Sequence, residues 1–325
     1  MSGKPPASLS LDLDNKWSYL KTHGDPGWEA LPSYLDVVVP RFLEFFKRRG
    51  LTITVFVVGQ DAALEKNRES LALISAAGHG IGNHSFHHEP WLHLYSEGEI
   101  EDELRRAEEH IERATGQRPK GFRGPGYSLS PATLRVLARR GYAYDATTLP
   151  TYLGPLARAY YFLTTRLSEA EREKRKALFG RLSDGLRPVT PYTWNVAGGR
   201  LLEVPVTTLP LLKLPIHVSY VLYLSLLSPA LALLYFRMAT RICRLSGTQP
   251  SVLLHPLDFL GSDDDTDLRF FPAMGLPSER KLQIVDGCLR ILGEEFEVMS
   301  LDRHAEALAR RSDLPLREPS FPGLT

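Results

Sequence analysis

Short apolar runs rich in β-branched residues alternate with longer amphipathic stretches along most of this chain. That alternation restricts the fold more than any other feature. A run of four to seven such residues suits a strand, the 3.6-residue pattern between runs suits a helix, and repetition of the pair is the mark of βα units in a parallel sheet or barrel. The spacing predicts strands over 9–13, 52–58, 79–83, 121–123, 142–145, 200–206, 251–255 and 296–299. It predicts helices over 31–49 (ended by Gly50), 65–77, 97–115 and 131–140. Acidic residues come early and basic ones later in 97–115, the sense the helix dipole favours. Proline stands in the first turn of 131–140, where its missing N–H costs nothing.

Two intervals break the rhythm of what otherwise reads as one domain over 1–325. The stretch 149–199 holds several prolines and a highly charged segment, Ser168 to Phe179, expected to be helical, and reads as an insertion or lid. The stretch 214–236 carries no Asp, Glu, Lys or Arg over 23 residues, between Lys213 and Arg237. That length could span a bilayer. His217, Ser219, Ser225, Ser228 and Pro229 interrupt it, however, and further strands follow. A span would put His255 across a membrane from Asp12. A bent helical pair beside the mouth of the barrel is therefore expected, either as a flap toward lipid or as a cover on the barrel's flank.

A length of 325 residues is ordinary for a single α/β barrel. The net charge of +1 gives no field of the kind nucleic-acid binding needs. Cys243 and Cys288 fit no metal or redox spacing, so no disulfide is expected and a reducing compartment is. The polar, proline-bearing start lacks the architecture of a signal peptide, which gives an expectation of a cytoplasmic protein.

Polar residues gather where the strands end, and in a parallel barrel those ends share one face. Asp12 and Asp14 end the first strand, His84 and His88 follow the third, Arg123, Asp145 and His255 end later ones. Asp14 with His84 and His88 offers one carboxylate and two imidazoles, a set that suits zinc or another divalent first-row ion (Co, Fe, Ni or Mn) with room left for water. The histidines, four apart, are expected to open a helix and face one way, with His87 directed elsewhere. Asp12 projects on the same side as Asp14 and can take a proton from water. Arg123 can grip a carboxylate through both nitrogens of its fork. His255 can protonate a departing amine, oriented by Asp258 or Glu203. Each residue alone has a plain structural explanation; their shared position is the signal.

The ordered set SLDLD (10–14), GNHSFHH (82–88), FRGPGY (122–127), YDATT (144–148) and LLHP (253–256) resembles the motif series of the polysaccharide-deacetylase superfamily, carbohydrate esterase family four. The resemblance implies a distorted (β/α) barrel that removes acetyl or formyl groups from N-acylated sugars with a divalent metal. Carried over residue by residue, it implies Asp12 as base, Asp14, His84 and His88 as metal ligands, Arg123 steadying the base and His255 as acid. Gly126 or Tyr127 would supply the oxyanion amide and Asp145 a substrate contact. The chain departs from the family pattern where Leu13 separates the aspartates, where Glu89 precedes Pro90, and where Gly126 takes the usual place of a tyrosine. The stretch EVPVTTLP (203–210) is similar to the branch acting on polyprenyl-phosphate-linked amino sugars, with which the apolar segment and peripheral membrane contact would agree. Two other functions stand beside this one: a soluble hydrolase of a small cyclic amide, as in allantoinase-like relatives, and a non-catalytic carbohydrate- or metal-binding barrel. Intact Asp12, Arg123 and His255 argue against the last, because binding alone needs neither an acid nor a base.

Overall fold

The computed structural model describes residues 3–165, 167, 169–175, 181–197 and 199–321. Its strands are β1 (Pro6–Leu13), β2 (Thr54–Val57), β3 (Gly80–Asn83), β4 (Gly121–Phe122), β5 (Tyr144–Asp145), β6 (Tyr192–Val196), β7 (Gly199–Glu203), β8 (Ser251–Leu254), β9 (Glu297–Ser300) and β10 (Leu316–Arg317). They form one sheet in the order β10-β6-β7-β5-β4-β3-β2-β1-β8, with β9 also on β1. The pairings are parallel except for the β6–β7 hairpin. The sheet does not close by strand pairing. Beyond β7 the chain reaches β8 through the Thr207 amide, which donates to the Ser251 carbonyl at 3.0 Å. The result is the distorted α/β barrel that the family resemblance implies, with an open seam.

Alternation along β1 divides its side chains between two environments. Ala7, Leu9, Leu11 and Leu13 point outward and pack under the helices with Val38, Phe42 and Phe46. Ser8, Ser10 and Asp12 take the opposite, inner face, where Phe56, Tyr144, Leu202 and Val204 form a separate apolar cluster. One strand thus carries both the main core and the first residues of a polar site.

Helices Glu97–Thr115 and Pro131–Arg140 begin and end where expected, the first closed by a Ser96–Glu99 capping box and the second by the Ser130 hydroxyl on Thr133. The helix expected from residue 31 starts only at Leu35, because Leu31 is left-handed (φ 50°) and Pro32 follows it. Strand β6 is absent from the sequence-based expectation. Its alternation of buried Tyr192, Trp194 and Val196 sits inside the stretch assigned to an insertion. Of the charged helix expected over Ser168 to Phe179, Glu169–Lys174 is present; Ser168 and residues 176–179 lie outside the described residues.

The apolar segment forms two helices, Val218–Ser225 and Pro229–Leu245, with Ser228 capping the second and Pro229 in its first turn. Among the described residues no helix is long and apolar enough to cross a membrane. The first helix buries Val218, Val221 and Leu222; the second buries Ala232, Phe236, Ala239 and Cys243. The opposite side of the second helix is also apolar. Leu231, Leu234, Met238, Ile242 and Leu245 (87% exposed) form an exposed stripe at helical spacing, with Leu227 (83%) in the turn just before the helix. Both cysteines are buried and free.

Just past β1, Asn15 caps the helix Lys16–His23 and ties it to Asp61. Asp61 Oδ1 accepts from Asn15 Nδ2 at 2.7 Å, Trp17 Nε1 at 3.0 Å and Asn67 Nδ2 at 3.1 Å. Burial pushes the Asp61 carboxyl up to about 7 against these donors. A folded-state value above the unfolded one means stability present at low pH and lost as pH rises toward that value. The Asp61→Asn variant should therefore gain stability relative to the parent between about pH 4 and 7, by no more than about 1.4 kcal/mol per pH unit. Urea unfolding of both proteins across that window measures it; a pH-independent difference contradicts the assignment.

Candidate active site and metal centre

Asp12 closes β1 with its carboxylate on the inner face. Arg123, just after β4, donates from Nη1 to Asp12 Oδ1 at 2.7 Å and to Ser10 Oγ at 2.9 Å, and from Nε to the Ala146 carbonyl at 2.9 Å. Its guanidinium lies over the Phe56 ring, 4.4 Å from the centroid, and is wholly buried. The grip on Asp12 uses one nitrogen where the sequence suggested two, because the fork is divided between partners on β1 and just after β5. Asp12 Oδ2 is left on the side of His84, 4.0 Å from its Nε2.

His84 and His88 do not open a helix, contrary to expectation. They lie on a tight loop after β3 in which Ser85 (φ 60°) and His88 (φ 53°) are left-handed. The loop is built from side chain–backbone bonds. Asn83 Oδ1 accepts from the Ser85 amide, Ser85 Oγ from the His88 amide, and Glu103 Oε2 from the amides of Phe86 and His87 at 2.9 and 3.0 Å. Non-glycine residues at positive φ cost energy and persist where surroundings impose them; here the buried Glu103 carboxylate does so. Nothing in the local sequence pointed to Glu103, which lies in the helix Glu97–Thr115 and also binds the half-exposed His87.

The loop carries both imidazoles to Asp14. Asp14 Oδ1 stands 2.9 Å from His88 Nε2 and 3.3 Å from His84 Nε2, and the three potential ligand atoms lie within 4.8 Å of one another. His84 Nδ1 donates to the Arg123 carbonyl at 2.6 Å, which leaves the Nε2 lone pair for the centre. The Tyr34 hydroxyl holds the Asp14 carbonyl at 2.6 Å. Burial would raise the Asp14 carboxyl, but the charges and bonds of His88 and His84 hold it well below the usual range. A charged carboxylate and two imidazoles with inward Nε2 atoms, all buried, fit one divalent ion.

His255 follows β8 on the other side of Asp14. Its Nδ1 lies 3.0 Å from Ser219 Oγ, Ser219 donates to Asp258 Oδ1 at 2.8 Å, and Asp258 Oδ2 accepts the His255 amide at 2.9 Å. Asp258, through Ser219, is thus the group that orients His255. Glu203, the other candidate, is spent elsewhere, on Thr148 and on Trp194 Nε1. Ser219 belongs to the apolar segment and sequence reasoning gave it no role. A half-enclosed cavity of about 250 Å³ lies between Asp14 and His255, lined also by His217, Tyr220 and Lys281. Burial, then the nearby His255, holds the His217 imidazole well below its usual value, so it is neutral there.

The remaining residues divide. Gly126 (φ 58°) and Tyr127 (φ 61°) form a strained turn against Pro90, and burial followed by the Asp12 charge raises the Tyr127 phenol. The Tyr127 amide is committed to the Gly124 carbonyl at 3.0 Å, which leaves the Gly126 amide as the oxyanion candidate. Asp145 is fully buried with its Oδ1 on the Thr147 hydroxyl, and burial and Glu203 raise its carboxyl well above the usual range. Those partners make it a brace of the barrel wall; a substrate contact, as the motif suggested, would need that carboxyl turned out.

Residues 25–144 match the polysaccharide deacetylase family model. A stretch of 110 residues is 34% identical to the peptidoglycan deacetylase of Helicobacter pylori; it makes up 34% of this chain and 36% of that relative. The chain thus spans about a third of the length of that curated relative. In structure the chain is similar to a candidate polysaccharide deacetylase from Mycobacterium smegmatis (TM-score 0.64, 20% identity, 98% of this chain and 96% of that one). It is also similar to an allantoinase (TM-score 0.59, 16% identity, 94% and 91%). At such identities these two structures speak for the fold. The segment 25–144 is thus similar to the polysaccharide deacetylase family, and the whole chain shares its fold. The matched segment holds His84, His88, Arg123, Gly126 and Tyr127, and the barrel brings Asp12, Asp14 and His255 to them from outside it.

The ligand geometry predicts one divalent ion per chain. Elemental analysis should find it in the parent, and far below one equivalent in a His84→Ala, His88→Ala double variant, which keeps too few ligands. Full occupancy in that variant would remove the assignment.

Proposed function

We propose that the protein is a metal-dependent N-deacylase of an N-acylated amino sugar. The observation that carries this reading is the placement of a proton acceptor and a proton donor on either side of one ligand triad. Asp12 stands on Arg123, and His255 stands on Ser219 and Asp258. A divalent ion held by Asp14, His84 and His88 would acidify water and polarise the acyl carbonyl. Asp12 Oδ2, with its partner oxygen pinned by Arg123, receives the proton of the attacking water. The Gly126 amide faces the oxygen on which charge develops. With Nδ1–H donated to Ser219, protonated His255 presents its Nε2–H to the amine nitrogen as the carbon–nitrogen bond breaks, yielding a free carboxylate and an amino sugar. Zinc is the metal this ligand set suits best.

The finer reading is a sugar carried on a polyprenyl phosphate at the cytoplasmic face of the membrane. Two features support it. The stripe from Leu231 to Leu245 exposes five large apolar side chains along one helix, with Leu227 just before it, more than a monomer's scattered surface residues require. The preceding helix, Val218–Ser225, supplies Ser219, Tyr220 and Tyr223 to the cavity and packs on the helix that bears the stripe. A bilayer under the stripe would bring a lipid-anchored head group to the opening.

Two outcomes test these proposals. Asp12→Asn and His255→Ala should each keep the metal and lose about 10²–10⁴ in turnover of an N-acyl amino sugar. Turnover of allantoin with no N-acyl sugar cleaved would overturn the assignment. Leu227→Glu with Leu231→Glu, both at exposed positions, should abolish sedimentation with anionic phospholipid vesicles while leaving hydrolysis of a water-soluble N-acyl sugar intact. Equal sedimentation of parent and variant would end the membrane reading.

A further inference from the structure

The cavity between Asp14 and His255 is larger and more apolar than an acetyl or formyl group needs. Its volume is about 250 Å³, whereas an apolar cavity of about 150 Å³ already accepts a benzene ring. Its walls are Tyr19, Tyr220, Tyr223, Leu257, Phe271 and Met274. Part of its polar lining is already engaged. Ser219 and Asp258 are bonded to each other and to His255. Lys281, buried in the wall with Nζ on Met274 Sδ at 3.4 Å, has the charges of Asp258, Asp264 and Asp263 acting on it. A sugar ring placed there would set hydroxyls against mostly aromatic and aliphatic walls, with the unpartnered His217 Nδ1 able to meet one of them, and a buried hydroxyl left without a partner is costly. A hydrocarbon tail would meet no such cost.

We propose that this cavity is an acyl-chain pocket, and that the favoured substrate carries an N-acyl group of about four to eight carbons. The inference rests on the deacylase reading for its orientation. With the reacting carbonyl between Asp12 and His255, the amine side leaves toward the opening and the acyl tail runs between Tyr220, Tyr223 and Phe271. Ala273 (3% exposed) and Met274 (0%) close the wall, so the side chains at these two positions limit tail length. Each methylene buried is worth about 0.8 kcal/mol, roughly a fourfold gain in kcat/KM, until the cavity is full.

The experiment uses the full chain loaded with zinc. Hydrolysis of N-acetyl-, N-butanoyl-, N-hexanoyl- and N-octanoylglucosamine is followed by amine release, and binding of acetate and hexanoate by calorimetry. The expected result is a rise in kcat/KM of tenfold or more from acetyl to hexanoyl, with hexanoate bound at least tenfold more tightly than acetate. Ala273→Leu, which fills the wall, should bring the hexanoyl-to-acetyl ratio down toward one. Phe271→Ala should move the optimum to a longer chain. Should either variant fail to fold, the chain-length series on the parent still decides. A parent that prefers acetyl to both butanoyl and hexanoyl overturns the pocket, as does hexanoate bound no better than acetate. A parent that binds hexanoate tightly but cleaves none of the amides leaves the pocket standing and overturns the deacylase reading.

Discussion

The buried pair of Arg123 and Asp12 is the interaction on which the rest of the site depends. A fully desolvated guanidinium is costly unless its donors are met. Here Asp12, Ser10 and the Ala146 carbonyl meet those on Nη1 and Nε, and the Phe56 ring lies beneath. These partners come from β1 and from the chain after β5, while Arg123 itself follows β4. One side chain therefore fixes the mutual position of three strand ends. The Arg123 carbonyl also accepts from His84 Nδ1. The residue that holds the Asp12 carboxylate thereby also orients the His84 imidazole, so the two halves of the candidate site are tied together.

The ligand loop shows how an enzyme-like geometry is imposed on an unwilling backbone. Ser85, His88 and Tyr127 all adopt positive φ near the centre. Such strain survives only when the surroundings overdetermine it. Asn83, Ser85 and Glu103 do so by satisfying the loop amides that no regular element pairs. A helix over the same residues would have satisfied those amides internally, but would have fixed the imidazoles by helical spacing instead of by their approach to Asp14.

The apolar segment joins the core, the site and the surface. One side of its second helix packs inward through Phe236 and Cys243 while the other exposes Leu231, Leu234 and Met238. Its first helix places Ser219 between His255 and Asp258 and lends two tyrosines to the cavity. A hydropathy profile records only the sum of these faces, and so reports one uncharged stretch where the fold has three environments.

Period and punctuation in the sequence were enough for the βα order, for helices Glu97–Thr115 and Pro131–Arg140, and for the gathering of Asp12, Asp14, His84, His88, Arg123 and His255 at strand ends. These signals are local: side-chain alternation, capping residues, and the rule that parallel strands end on one face. Strand β6 was missed because its alternation lies in a proline-rich stretch with no helix between it and β7. The choice of Asp258 over Glu203, the relay through Ser219, the brace formed by Asp145 and the support from Glu103 could not be read from the chain. Each depends on which of several equivalent polar groups, 2 to 39 residues from its partner in the site, the packing brings within hydrogen-bond distance. Sequence determined which chemistry could be assembled; only tertiary packing decided which carboxylate serves which histidine, because desolvation leaves each buried polar atom only the partners that the barrel puts beside it.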